Sequence, residues 1–226
     1  MATVSEMVDE LAHALGDPGG KVFTKTIIRR YLTRAQERIA ADTLCHVQTQ
    51  IIDLSDDANR YSLQDGFLKE YLVTFRDSND STAKFKPIVR TAAVGDTSSF
   101  NNQKFYYIEV PLTSGSGLST EIVLWPSKVD VLYDASTHTA NGNSLKVVYA
   151  SLPTTSVISG GMLDLPSFTH EAIHYEALAR LALIPGKLDP NVAMAYRQQA
   201  ERELRGVRRR FASSRGRSGI PSLAHF

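Results

Sequence analysis

The sequence predicts an α+β protein: a helical bundle formed by N- and C-terminal helices, an inserted antiparallel β sandwich or barrel-like domain, and an extended C-terminal tail. Three observations carry this expectation. Apolar residues recur at three- and four-residue intervals over residues 3–44 and again over 168–211, the period of an amphipathic helix. Between about 46 and 160 the period shortens to two, in short runs separated by Gly/Ser/Asn-rich connections. Past Ser213 the chain becomes Ser-, Arg- and Gly-rich, the composition of a mobile terminus.

The first helix is expected to start at Thr3, which has capping-box spacing to Glu6. Val4, Met7, Val8, Leu11 and Leu15 then form one apolar face, and the Gly/Pro-rich run 16–20 ends it. A second helix over about 24–44 places Ile27, Ile28, Tyr31, Leu32, Ala35, Ile39 and Leu44 on its buried stripe. Arg29, Arg30, Arg34, Glu37 and Arg38 fall mostly on the solvated side.

From His46 the pattern is that of strands. Residues 46–54 mix β-branched and polar residues, and 55–59 is a turn cluster. Further strands are expected at 68–76, 85–90, 104–110, 120–125, 129–133 and 145–150. Short strands at hairpin spacing with no helical segment between them indicate antiparallel pairing. No internal repeat is visible.

Helical periodicity returns after Pro166 and Ser167, over residues 168–184. The run 185–188 breaks it. Asp189 as cap and Pro190 at the first helical position then start a last helix. Its stripe is Ala193, Tyr196, Ala200, Leu204, Val207 and Phe211. The loop between these helices is short, so they are expected to pack as an antiparallel hairpin. Neither terminal pair of helices can bury its stripe alone. The expected organisation is therefore a bundle over 1–45 and 162–212, an inserted β-rich domain over 46–161, and a tail over 213–226.

Composition narrows the function. Hydrophobic residues make up 42% of the chain and charged residues 22%, the balance of a globular protein. No apolar run approaches the roughly 20 residues needed to cross a bilayer, so no membrane partner is expected. The first residues lack the basic region and apolar core of a signal peptide. The lone Cys45 has no internal disulfide partner, which points to a reducing compartment and a buried small side chain. The formal net charge of +1 conceals an asymmetry. Residues 204–226 hold six arginines, Arg205, Arg208, Arg209, Arg210, Arg215 and Arg217, and no acid; the remainder is net −5. A basic C-terminal segment on an acidic body suits an anionic partner, nucleic acid or an acidic protein surface.

One motif carries chemistry. His170-Glu171-Ala172-Ile173-His174 matches H-E-x-x-H on an expected helix, where histidines at i and i+4 share a face and the glutamate can activate a zinc-bound water. A zinc hydrolase needs a third protein ligand, and Glu201 or Glu203 on the next helix would have to supply it. The match lies in the first two helical turns, where Glu171 is explained by the helix dipole. Ile173, Ala177, Leu178, Leu181 and Ala182 define the buried face, with His170 and His174 at its edge. The expectation is therefore no catalytic residue, no metal and no cofactor. A zinc-dependent hydrolase through this segment and a nucleic-acid-binding module through the arginines are the two alternatives. Nucleotide-binding glycine loops and a G-x-S-x-G elbow are missing from the sequence. Asp53, Asp56 and Asp57 lack the glycine and distal glutamate of a calcium loop, and Trp125 reads as a core or interface anchor.

The run from Leu165 to Arg180, Leu-Pro-Ser-Phe-Thr-His-Glu-Ala-Ile-His-Tyr-Glu-Ala-Leu-Ala-Arg, continues through Asp189, Ala193, Tyr196, Glu201 and Leu204. It resembles the C-terminal helical hairpin of head-to-tail adaptor (connector) proteins of tailed bacteriophages. The early helix ending in Gly/Pro, the basic second helix and the β-rich middle are similar as well. The two histidines depart from the family pattern. The resemblance implies a non-enzymatic virion protein at the head-tail junction, assembled in the host cytoplasm. It implies a homo-oligomeric ring, typically a dodecamer, that joins the portal protein to a tail (nozzle or tail-tube) protein, with passing contact to genomic DNA. It also implies a C-terminal arm docking on the portal, here through Arg205, Arg208, Arg209, Arg210, Arg215, Arg217 and Phe226.

Overall fold

A computed structural model describes residues 3–54, 60–76, 85–90, 105–109, 120–125, 143–153, 163–184 and 188–218. Helix and sheet are both present, and contacts divide the chain into two compact units, residues 1–46 with 150–226 and residues 47–149.

In the first unit, α1 spans Val4–Ala14. The Thr3 hydroxyl accepts the Glu6 N–H at 3.2 Å, and Glu6 accepts the Thr3 N–H at 2.7 Å, so the capping box is closed in both directions. The link to the next helix is held by Asp17, whose carboxylate accepts the backbone N–H groups of Lys21, Val22 and Phe23 at 3.0, 2.7 and 2.7 Å. That turn drives Phe23 into the core, where it is buried. Helix α2 spans Lys25–Thr43, capped by Thr24, and ends on Leu44 at φ 53°, a left-handed position usually filled by glycine. A single 3₁₀ turn, Ser167–Thr169, leads into α3, His170–Ala182; α4 then spans Pro190–Ser218. The Asp189 carboxylate accepts the Asn191 N–H at 2.7 Å, capping α4.

One core joins all four helices: Val4, Val8 and Leu11 from α1, Ile28, Leu32 and Ile39 from α2, Ile173, Leu178 and Leu181 from α3, Leu204 and Val207 from α4. Within it Glu176 of α3 is 6% exposed. Its Oε1 accepts Arg38 Nη1 of α2 at 2.7 Å and Arg180 Nε of its own helix at 2.5 Å. Gln36, also buried, accepts the Asp164 N–H at 3.2 Å. These contacts fix how α3 and the segment before it lie on α2.

The last helix corrects one expectation. Residues 213–218 continue α4 rather than starting an extended tail. Adding a residue to an existing helix needs no new nucleation, and arginine, at 215 and 217, is a good helix former. The remainder of the expected tail, 219–226, lies outside the described residues.

The second unit holds β1 (Val47–Asp53), β2 (Arg60–Ser62), β3 (Phe67–Arg76), β4 (Lys86–Pro87), β5 (Val89–Arg90), β6 (Phe105–Glu109), β7 (Glu121–Trp125) and most of β8 (Ser144–Ser151). They form two four-stranded sheets of order β1-β8-β3-β4 and β2-β7-β6-β5. Residues of both sheets share a core that includes Val73, Phe75, Leu145, Val147 and Tyr149 from the first and Tyr106, Ile122 and Leu124 from the second, with Leu54 just past β1. Alternation explains it: Val73 and Phe75, like Leu145, Val147 and Tyr149, are spaced two apart and so lie on one face.

Three details differ from the sequence reading. The strand expected at 85–90 is two short strands in different sheets, β4 on β3 and β5 on β6. Pro87 lacks the N–H a longer ladder needs and sits in the outermost strand of its sheet. The β5–β6 pairing is parallel, against the antiparallel expectation. The three-residue β2 was not anticipated; it pairs with β7, where Arg60 of β2 bridges Glu109 and Glu121, two acids directly opposite each other on β6 and β7. The strand expected at 129–133 falls outside the described residues.

Candidate functional site

Every residue assigned to portal contact belongs to α4 or the segment beyond it, so the helix face decides what each can reach. Ala193, Ala200, Leu204 and Val207 are buried, with Tyr196 and Phe211 packed partly against them. At about 100° per residue these define one side of α4. Arg205, Arg208, Arg209 and Arg210 are exposed. Arg215 and Arg217 lie on the final turns of the helix, and Phe226 lies outside the described residues.

The helical period singles out one row. Arg202, Arg205 and Arg209, at i, i+3 and i+7, fall directly opposite the apolar stripe. Arg202 was missed by the sequence reading, because Glu201 and Glu203 beside it in sequence mask its position on the helix. Among the described residues neither acid is ion-paired with the row. Glu201 pairs with Arg197 at 3.7 Å, and Glu203 accepts from the Gln199 amide at 2.8 Å. Among the described residues, Arg202, Arg208, Arg209 and Arg210 have no ion-pair partner.

An acidic surface lies elsewhere on the same unit, between α1 and α3. An open groove of about 640 Å³ is lined by Glu6, Asp9, Glu10, His13 and His174, and a smaller one of about 290 Å³ adjoins it at Glu10, His170, Glu171 and His174. Both histidines of the H-E-x-x-H motif border these grooves. His170 Nε2 lies 3.2 Å from the Leu165 carbonyl oxygen, a contact in which that nitrogen donates and so is not free for a metal. His174 stands edge-on to Tyr175, and burial pushes its pKa below the ordinary value, with Glu10 and Glu171 opposing in part. At neutral pH the ring is therefore uncharged and the grooves stay net acidic. Among the described residues no three His, Cys, Asp or Glu side chains converge as a metal site. Cys45 is buried, with its thiol pushed up by burial, so it is a packing residue. No helix among the described residues is long and apolar enough to cross a membrane.

Compared with known proteins, a family model described as SU10 adaptor protein matches residues 2–220. No curated protein matches the chain. Among solved structures the chain is similar to one described as "Neck of empty GTA particle computed with C6 symmetry", at 13% identity, with 87% of each chain covered and a TM-score of 0.31.

Proposed function

The chain belongs to the SU10 adaptor protein family, and from that premise we propose that it is a structural, non-enzymatic adaptor of the bacteriophage virion, set at the head-tail junction. Its copies close a ring, a dodecamer, that joins the portal protein to a tail (nozzle or tail-tube) protein while genomic DNA passes. The architecture proposed with it is a helical bundle drawn from both chain ends and an inserted β sandwich. The observation that carries the reading is the family match over nearly the whole chain.

The arginines of α4 support a docking role. Among the described side chains Phe211 is the last packed on the core, and the helix runs seven residues further, about 10 Å at 1.5 Å per residue. A pre-formed helical arm loses less conformational freedom on docking than a loose tail does. Guanidinium groups give bidentate pairs with carboxylates and stack on aromatic rings, the contacts an acidic groove on a portal would offer. Arg205, Arg208, Arg209, Arg210, Arg215, Arg217 and Phe226 form the proposed portal-binding set.

The test is cryo-electron microscopy of purified particles, paired with binding of the purified chain to portal rings. The chain is expected as a ring beneath the portal, with binding lost on deletion of 213–226 together with Arg208→Glu and Arg210→Glu. Particles whose neck lacks the chain refute the adaptor role. Unchanged portal binding by that variant refutes the arm.

A further inference from the structure

The helical unit carries opposite charges on two helices that both turn these charges away from their shared core. On α1, Glu6, Asp9, Glu10 and His13 are exposed, while Val4, Met7, Val8 and Leu11 are buried. On α4, the row Arg202, Arg205 and Arg209 is exposed opposite Ala200, Leu204 and Val207. Rows that both point outward from one core meet only between copies. We propose that the acidic groove between α1 and α3 receives the Arg202–Arg205–Arg209 row of α4 from a second copy of this chain, in a head-to-tail contact.

Four observations support that occupant. The groove holds Glu6, Asp9, Glu10 and Glu171; of the nearby cations, Lys25 pairs with Asp9 at 2.8 Å in an exposed bridge, and Arg29 acts on Asp9 at longer range. Glu10 has no salt-bridge partner among the described residues. The two rows match in spacing: Glu6 to Glu10 and Arg205 to Arg209 are each one four-residue step, about 6 Å along a helix. His174 lines the groove uncharged, so it does not repel an incoming guanidinium. Because the two surfaces differ, the contact is heterologous and closes into a ring when the rotation between copies is right. The proposal deepens the adaptor reading and rests on it for the ring, though not for the pairwise contact. It also divides the arginines: Arg205 and Arg209 face the neighbour, leaving Arg208, Arg210 and the segment beyond Phe211 to the portal.

Charge exchange tests it with the full chain. One variant carries Asp9→Arg and Glu10→Arg; the other carries Arg205→Glu and Arg209→Glu. Circular dichroism confirms that each is folded. Wild-type self-association, followed by sedimentation velocity and native mass spectrometry at low salt, is expected to weaken as salt is added. Each variant alone is expected to self-associate at least about tenfold more weakly, because like charges then face each other. An equimolar mixture is expected to recover association in alternation, since the reversed groove of one variant meets the reversed row of the other, and the native row meets the native groove. A wild type that stays monomeric, a variant that associates as tightly as wild type, or a mixture that stays apart overturns the contact. Particles imaged in parallel separate the two claims. If both variants still assemble in the neck with wild-type subunit contacts, this contact falls and the adaptor reading stands. If the chain is missing from the neck while the mixture recovers, the contact stands and the adaptor reading falls.

Discussion

Removing the charge of Glu176 is expected to loosen the packing of α3 on α2. Its side chain is 7% exposed and one oxygen takes two charge-assisted hydrogen bonds, at 2.7 Å from Arg38 and 2.5 Å from Arg180. Hydrogen bonds to charged groups contribute about 1.5–3 kcal/mol each, so the gross loss is about 3–6 kcal/mol. Both arginines keep a way into water, with side chains 43% and 34% exposed, and solvent recovers part of that loss. Glu176→Gln, which keeps shape and one acceptor, is therefore expected to cost about 2 kcal/mol. Urea unfolding followed at 222 nm reads mainly the helical unit and measures this directly. The control is Lys25→Ala, which breaks an exposed bridge and should change stability by under about 0.5 kcal/mol. A Glu176→Gln midpoint indistinguishable from that control refutes a structural role for the buried carboxylate.

Leu178 is 1% exposed in the core of four helices, and Leu178→Ala should cost about 2–5 kcal/mol, read in the same urea assay. Burial lowers the His174 pKa below its ordinary 6.5, so the unfolded chain binds this proton more readily than the folded one. Its contribution makes stability rise with pH through the window just below 6.5 and fall as pH drops through it. His174→Gln should therefore flatten the stability difference between about pH 7 and pH 5, and an unchanged slope refutes the burial effect. Asp17→Ala removes the acceptor for three backbone amides, so Val22 and Phe23 N–H should exchange faster by NMR with α1 and α2 still formed. The same hydrogen bonds hold the Asp17 carboxyl below its usual range. Its contribution is thus present above the ordinary aspartate value and is lost only as pH falls through the lower folded one.

Local signals in the sequence were legible wherever one short segment decides its own structure. Thr3 and Glu6 announced α1 because the capping box spans four residues, and Asp189-Pro190 announced α4 in the same way. Period-two alternation located β3, β6, β7 and β8. Signals that depend on partners were not legible. β2 is three residues long and exists through its pairing with β7. Residues 85–90 look like one strand until β3 and β6 each claim a part. The expected end of α4 at 212 rested on composition, and a Ser-, Arg- and Gly-rich run can still extend a helix that is already nucleated.

For the candidate surfaces the division is similar. Sequence alone determined that the C-terminal segment is rich in arginine and that the H-E-x-x-H spacing puts two histidines on one helix face. Only the tertiary structure decided that the Arg202, Arg205 and Arg209 side chains stay exposed, that His170 is held by the Leu165 carbonyl, and that Glu10 of α1 comes beside His174 of α3. Helical period and capping are properties of a few neighbouring residues, whereas a groove between α1 and α3 joins residues more than 150 positions apart, whose approach is set by the packing of the whole core.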